Sequence, residues 1–227
     1  MRRFVSKPHI ALYFLFMLLL TTSCRTKPDE SLKAYQEAHN SGDVEKKMSF
    51  FAEDIKYEVV GQWKVTGKEN LKKRVEIDAF LNSNLIFTDI KSSKNKVTCK
   101  VEEKNDLLKV SGIDTLYYEF REFIFEDGLI KEVKTRVTQD GMNALRNAQT
   151  AFWQWADENR KEEAAELKRP GVVNKDTFVK CLALMRQWRE EMEKEEQQEE
   201  SEKEVEKIES PNVPPDSKID SNSTSQD

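Results

Sequence analysis

"TLYYEFREFIFEDGLIKEVKTRVT", residues 115–138, sets two long runs of aromatic and β-branched residues on either side of Asp127-Gly128. An Asp-Gly pair between such runs is a strong local signal for a tight hairpin, so the segment predicts two paired antiparallel strands. Strict alternation along the first run places Glu119 and Arg121 on one face and Tyr118, Phe120 and Ile124 on the other. Upstream, "NKVTCKVEE" (95–103) alternates Val97, Cys99 and Val101 against Lys96, Thr98 and Lys100, the pattern of a strand with one buried and one wet face. "LIFTDIKSS" (85–93) reads as its partner, and "NDLLKVSG" (105–112) as a short helical turn. The centre of the chain is therefore a meander of strands.

Working outward toward the N-terminus, the texture changes to helical spacing. Pro28 and the acidic residues after it open a helix through Leu32, Tyr35 and Ala38/His39. Ser41-Gly42-Asp43 ends it and caps a second helix through Val44, Met48 and Phe51. "IKYEVV" (55–60) and "QWKVTG" (62–67) are short extended runs, and a third helix follows Gly67. In "LKKRVEIDAFLNS" (71–83), Leu71, Val75, Ile77 and Leu81 share one stripe, with Arg74 and Asp78 inside it. Phe80 lies on the otherwise charged side, so a further helix is expected to cover it. The order helix, helix, strands, helix, strand meander gives an α+β class, an antiparallel sheet with helices gathered on one side.

The runs "YQEAHNSGDVEKKMSFFAEDIKYEV" (35–59), "GKENL" (67–71), "NDLLKVSGI" (105–113) and "FIFEDGLIKEV" (123–133) together resemble the nuclear transport factor 2-like superfamily, in its polyketide-cyclase-like (SnoaL-like) branch. The resemblance implies a cone-shaped, curved antiparallel sheet wrapped on the N-terminal helices, with a cavity open at one end. Enzymes of the group place an Asp, Tyr or His there for proton transfer. Asp78, Arg74, Tyr57, Trp63, His39, Glu119 and Arg121 are the candidates to line that cavity. Two alternatives stand beside this: an Arg74–Asp78 surface pair at i,i+4, and a Glu119–Arg121 surface pair. The one-Tyr, two-Asp pattern of the ketosteroid isomerases does not map onto this chain. The leading expectation is a membrane-tethered, non-catalytic small-molecule-binding or accessory domain, with a small apolar ligand as a partner, and the alternatives are an isomerase, cyclase or dehydratase using proton transfer on a small apolar substrate and a protein-interaction module.

Residues 142–191, "MNALRNAQTAFWQWADENRKEEAAELKRPGVVNKDTFVKCLALMRQWREE", resemble the C-terminal extension of a bacterial subgroup of these proteins. Their own pattern predicts two helices broken at Pro170-Gly171, the second capped by Asn174 or Asp176. That helix carries Phe178, Cys181/Leu182, Met185, Trp188 and Met192 on one stripe. Trp153 and Trp155 are expected to pack inward as well.

The two ends of the chain differ from its middle. "MRRFVSKPH" is purely basic and the eleven apolar residues of "IALYFLFMLLL" follow, the order of a signal peptide, while a spanning helix needs about 20. "LLTTSC" then resembles a bacterial lipobox with Cys24 as the lipidated residue, although Thr21 stands where Leu is usual. This implies a cell-envelope protein anchored to a bacterial membrane by lipid, and a secreted one without lipidation. Beyond Met192, where the apolar stripe ends, the composition turns acidic and cannot bury a core. Its Glu/Lys portion is able to prolong a helix as a solvated rod, and an Asn222-Ser223-Thr224 sequon stands near the end.

The expected plan is a leader over 1–23, a tether over 24–28, the cone domain over 29–139, a helical extension over 140–192 and an acidic, largely disordered tail over 193–227. Of three cysteines, Cys99 and Cys181 fall on apolar stripes and read as core residues. Only His39 and His9 are histidines, so no histidine-rich metal site is expected, and no cofactor motif is present. The basic residues of 91–104 alternate with core positions, which argues against nucleic acid as a partner. A homodimer completes the partner expectations.

Overall fold

The computed structural model describes residues 28–168 and 175–209. The leader, Cys24, the Pro170-Gly171 break, Asn174 and everything from Ser210 lie outside the described residues, so the expectations placed there stay expectations.

The chain runs α1 (Pro28–Asn40), α2 (Val44–Ser49), β1 (Phe51–Val59), β2 (Trp63–Thr66), α3 (Lys68–Phe80), β3 (Asn84–Ser93) and β4 (Lys96–Lys104). It continues through α4 (Asp106–Val110), β5 (Leu116–Glu126), β6 (Leu129–Val137), α5 (Gln139–Asn159), α6 (Lys161–Leu167) and α7 (Lys175–Glu209). Asp43 caps α2 as its position suggests, its carboxylate accepting from the Lys46 amide. The helix stops before Phe51, although the helical spacing includes that residue. The Phe50 carbonyl accepts from the Ile130 amide at 2.8 Å, and Phe51 is the first residue of β1. Pairing with a distant strand overrides the local period at that point.

The six strands form one curved sheet in the order β2-β1-β6-β5-β4-β3. The expected antiparallel sheet is in fact mixed, because β1 pairs with β6 in parallel while every other pair is antiparallel. A parallel neighbour needs a long crossover, and here everything from β2 to β5 supplies it. The hairpin at Asp127-Gly128 is present, with both residues at positive φ.

The helices lie against one face of the sheet. Leu32 and Tyr35 of α1, Met48 of α2, and Leu71 and Val75 of α3 join the inward residues of the strands in one core. Ile86, Ile90 and Tyr117 are exposed on the opposite face.

β5 departs from strict alternation in a way that matters for the interior. Against β6, Tyr118 faces Val137 but Phe120 faces Arg136, and against β4 the register slips between Cys99 and Val101. Both neighbours see one extra residue in β5 between Tyr118 and Arg121, which is a β-bulge. The phase of the strand turns over there. Tyr118, Arg121, Phe123 and Phe125 all point inward, and Glu119, Phe120 and Ile124 do not.

The extension packs against the domain instead of standing off it. Thr138 caps α5 through the Gly141 amide, and Gly141 lets the helix approach closely: a Cβ there would lie 2.9 Å from Leu116 Cδ1. Three helices form where two are expected, because the chain also breaks at Arg160. There the guanidinium folds back over Trp155 and pairs with Glu191 of α7 at 3.1 Å. Phe152, Trp155, Ala164, Met185 and Trp188 bury one another in a second cluster. Leu182 joins Ile77 and Leu81, and Phe80 and Phe178 pack on that seam with Lys175 Nζ 5.9 Å from the Phe80 ring centre. Cys99 is buried and Cys181 half-buried, and both are free thiols. The Glu/Lys-rich stretch after Met192 continues α7 as an exposed helix, carrying the Glu199–Lys203 pair at i,i+4.

Leu182 is buried in the seam between extension and domain, so Leu182→Ala is expected to lower the unfolding free energy by roughly 2–5 kcal/mol. Urea denaturation followed by tryptophan fluorescence measures this. A single transition shifted to lower urea supports one cooperative unit, whereas an unchanged midpoint would make the extension an independent appendage.

Candidate functional site

Between α1–α3 and the inner face of the sheet lies a cavity of about 210 Å³. Its walls come from every part of the fold: Tyr35 and His39 from α1, Lys47 from α2, Tyr57 and Trp63 from β1 and β2, Arg74 and Asp78 from α3. Glu103, Tyr118 and Arg121 come from β4 and β5, and Leu145 and Phe178 from the extension. Six of the seven candidates named from sequence meet there. Glu119 does not: the bulge turns it outward, where it pairs with Arg136 at 3.5 Å on the outer face.

The partners also differ from those the helix spacing offers. Asp78 does not pair with Arg74 one turn away. Instead Lys47 Nζ donates to Asp78 Oδ2 at 2.8 Å, with the lysine side chain 6 % exposed and the aspartate 40 %. Arg74 lies over the Trp63 ring at 4.9 Å, and Trp63 stacks on Tyr57 with centroids 5.4 Å apart. Arg74, Trp63 and Tyr57 thus form a layered wall. Cation–π contact with a tryptophan face holds a guanidinium about as well as an exposed ion pair does.

Deeper in, a chain of hydrogen bonds crosses from helix to sheet. His39 Nε2 and Ser83 Oγ are 3.0 Å apart, Ser83 Oγ donates to Glu103 Oε1 at 2.9 Å, and Asn105 Nδ2 donates to the same oxygen at 2.9 Å. The Tyr118 hydroxyl donates to Glu103 Oε2. Both carboxylate oxygens are thereby used. His39 Nδ1, by contrast, is buried without a partner among the described residues. Burial, then the cations of Lys47 and Arg121, hold the His39 pKa well below its ordinary value, so the imidazole is neutral.

Arg121 is the most unusual group in the interior. It is 4 % exposed. Its Nε donates to Thr135 Oγ1 at a long 3.4 Å, and its guanidinium lies 5.0 Å from the Tyr118 ring centre. Burial opposes the charge and the Glu103 carboxylate favours it, and arginine stays charged in any case. Burial likewise raises the Tyr35, Tyr57 and Tyr118 hydroxyls above their ordinary range, so all three are neutral donors.

Lys47, Glu103, Ser83, Tyr35 and Tyr118 belong to the site without standing among the candidates named from sequence. Two carry a visible signal. Glu103 continues the inward alternation of Val97, Cys99 and Val101, and Lys47 falls beside Met48 on the apolar stripe of α2. Strict alternation puts Tyr118 on the opposite face from Arg121, and the bulge that reverses this has no residue signature here. Among the described residues no group of His, Cys, Asp and Glu gathers as a metal ion would require, and no helix is long and apolar enough to cross a membrane.

No protein-family model and no curated protein matches the chain. Among solved structures it is similar to an NTF2-like protein of unknown function from Cytophaga hutchinsonii, at 10 % identity and a TM-score of 0.45, covering 54 % of this chain and 99 % of that one. It is also similar to the epoxide hydrolase/cyclase-like enzyme SalBIII, at 14 % identity and a TM-score of 0.45 over 50 % of this chain and 92 % of that one. A third likeness is to an LEH-like epoxide hydrolase of M. tuberculosis, at 15 % identity and a TM-score of 0.44 over 54 % and 91 %.

The neutral, buried His39 has a consequence for stability. In the unfolded chain its pKa returns to about 6.5, so below that pH the unfolded state takes up a proton that the folded state refuses. Stability from this residue is complete above pH 6.5 and falls in acid by up to about 1.4 kcal/mol per pH unit. Denaturation of wild type and His39→Gln between pH 7 and pH 5 is expected to show that extra slope in wild type alone. Parallel slopes would mean that His39 titrates normally in the fold.

Proposed function

We propose that the chain is a non-catalytic binding domain for a small, largely apolar molecule, tethered to the bacterial cell envelope through a lipid on Cys24. The observation that carries the binding reading is the interior cavity, walled by aromatic and aliphatic side chains with a few polar groups converging on it. That is the usual composition of a small-molecule site. At about 210 Å³ it lies below the roughly 300–1,000 Å³ of sites for drug-sized ligands, and so suits a compact one.

The non-catalytic reading is supported by how the available bases are engaged. Proton transfer needs a base with a free lone pair within reach of the substrate. Asp78 is held by Lys47, and Glu103 accepts from Ser83, Asn105 and Tyr118. A proton-transfer enzyme acting on a small apolar substrate, as in the SnoaL-like branch, is the second reading. It would draw on His39, whose Nδ1 is buried without a partner among the described residues.

Native mass spectrometry of the protein purified from its own host tests the first reading. The expected result is a co-purifying small molecule, released unchanged on denaturation and taken up again unchanged. Conversion of that molecule by the protein would establish the enzyme reading instead, and a chain that never retains or rebinds a ligand would remove the binding reading.

The tether has a separate test. Cys24→Ser is expected to move the protein out of the membrane fraction or leave the leader uncleaved. Unchanged fractionation with an unchanged mature mass would overturn it.

A further inference from the structure

Apart from the buried Nδ1 of His39, the charged groups of the cavity are engaged among the described residues except at Arg121. Lys47 meets Asp78, Arg74 covers Trp63, and Glu103 takes three donors. Arg121 has only the long Nε contact to Thr135 and the face of Tyr118, and among the described residues no carboxylate stands in ion-pair contact with it. Its terminal nitrogens are not among the sealed polar atoms, and the residue lines the cavity, so those donors open into it. The Tyr35 and Tyr57 hydroxyls line the same cavity and likewise have no hydrogen-bond partner among the described residues.

A buried guanidinium without a facing acceptor is costly, because removal from water is repaid only by a well-placed anion or several acceptors. Planar guanidinium donors match a carboxylate edge to edge, and neutral phenols add donors on either side. Tyr118 meets the cation with its ring face and donates its hydroxyl proton to Glu103.

We infer that Arg121, with the hydroxyls of Tyr35 and Tyr57, is an anion-binding subsite, and that the ligand is a compact monocarboxylate with an apolar body. The carboxylate sits on the guanidinium at the sheet side. The body lies against the aliphatic walls supplied by Leu71, Leu85 and Val137. A single negative charge suffices for Arg121, and Glu103 and Asp78 on the same walls disfavour a doubly charged ligand. The inference rests on the reading of the cavity as a binding site and names the chemistry that reading leaves open.

The test uses pairs of probes matched in shape and different in charge: benzoate against benzamide, and hexanoate against hexanamide, by calorimetry on the wild-type chain. Each carboxylate is expected to bind about tenfold or more tighter than its amide. Arg121→Gln should abolish that preference, and Tyr57→Phe should weaken carboxylates selectively. The wild-type comparison stands even if Arg121→Gln fails to fold. Amides binding as well as carboxylates would overturn the anion subsite and leave the binding cavity standing. If neither series binds, the subsite falls together with the cavity reading.

Discussion

An extra residue in the middle of β5 turns Tyr118 and Arg121 alike inward and so adds a guanidinium to an interior that already holds the Lys47 ammonium. Without it, strict alternation would send Arg121 to solvent and bring Phe120 inward, and the space between sheet and helices could close over an aromatic core. With it, Tyr118 and Arg121 both point inward, three positions apart. A buried guanidinium cannot be packed in hydrocarbon alone, so polar neighbours gather near it: Thr135 beneath, Tyr118 alongside, and Tyr35 and Tyr57 across the cavity.

The hydrogen-bonded chain from His39 through Ser83 to Glu103 and Tyr118 ties α1 to the sheet across that space. Each member of that chain fixes the next. Lys47 and Asp78 do the same between α2 and α3.

The C-terminal helices are part of this arrangement. Leu145 and Phe178 complete the cavity wall, and Leu182 closes the seam over Ile77 and Leu81 behind α3. The same helices bury Phe152, Trp155 and Trp188 among themselves. The extension therefore has a core of its own and also shares one with the domain, so a change in how it seats would be felt at the cavity wall.

Periodicity and turn chemistry determined the elements. The Asp127-Gly128 hairpin, the alternation of Val97, Cys99 and Val101, the Asp43 cap and the stripe of α3 are local facts, fixed by backbone geometry within a few residues, and they are legible in the sequence along with the helix-covered seam at Phe80. The Glu/Lys-rich prolongation of α7 is legible for the same reason. What the tertiary structure alone decided is every choice between partners far apart in the chain. It made β1 parallel to β6, gave Asp78 to Lys47 instead of to Arg74, laid Arg74 on Trp63, and inserted the β5 bulge that turns Glu119 out and Arg121 in. Those outcomes depend on which groups are brought within contact distance by the whole fold. A charge 31 positions away in sequence but 2.8 Å away in space takes the place of one four positions away, because the fold buries Lys47 facing Asp78 and lays Arg74 on Trp63.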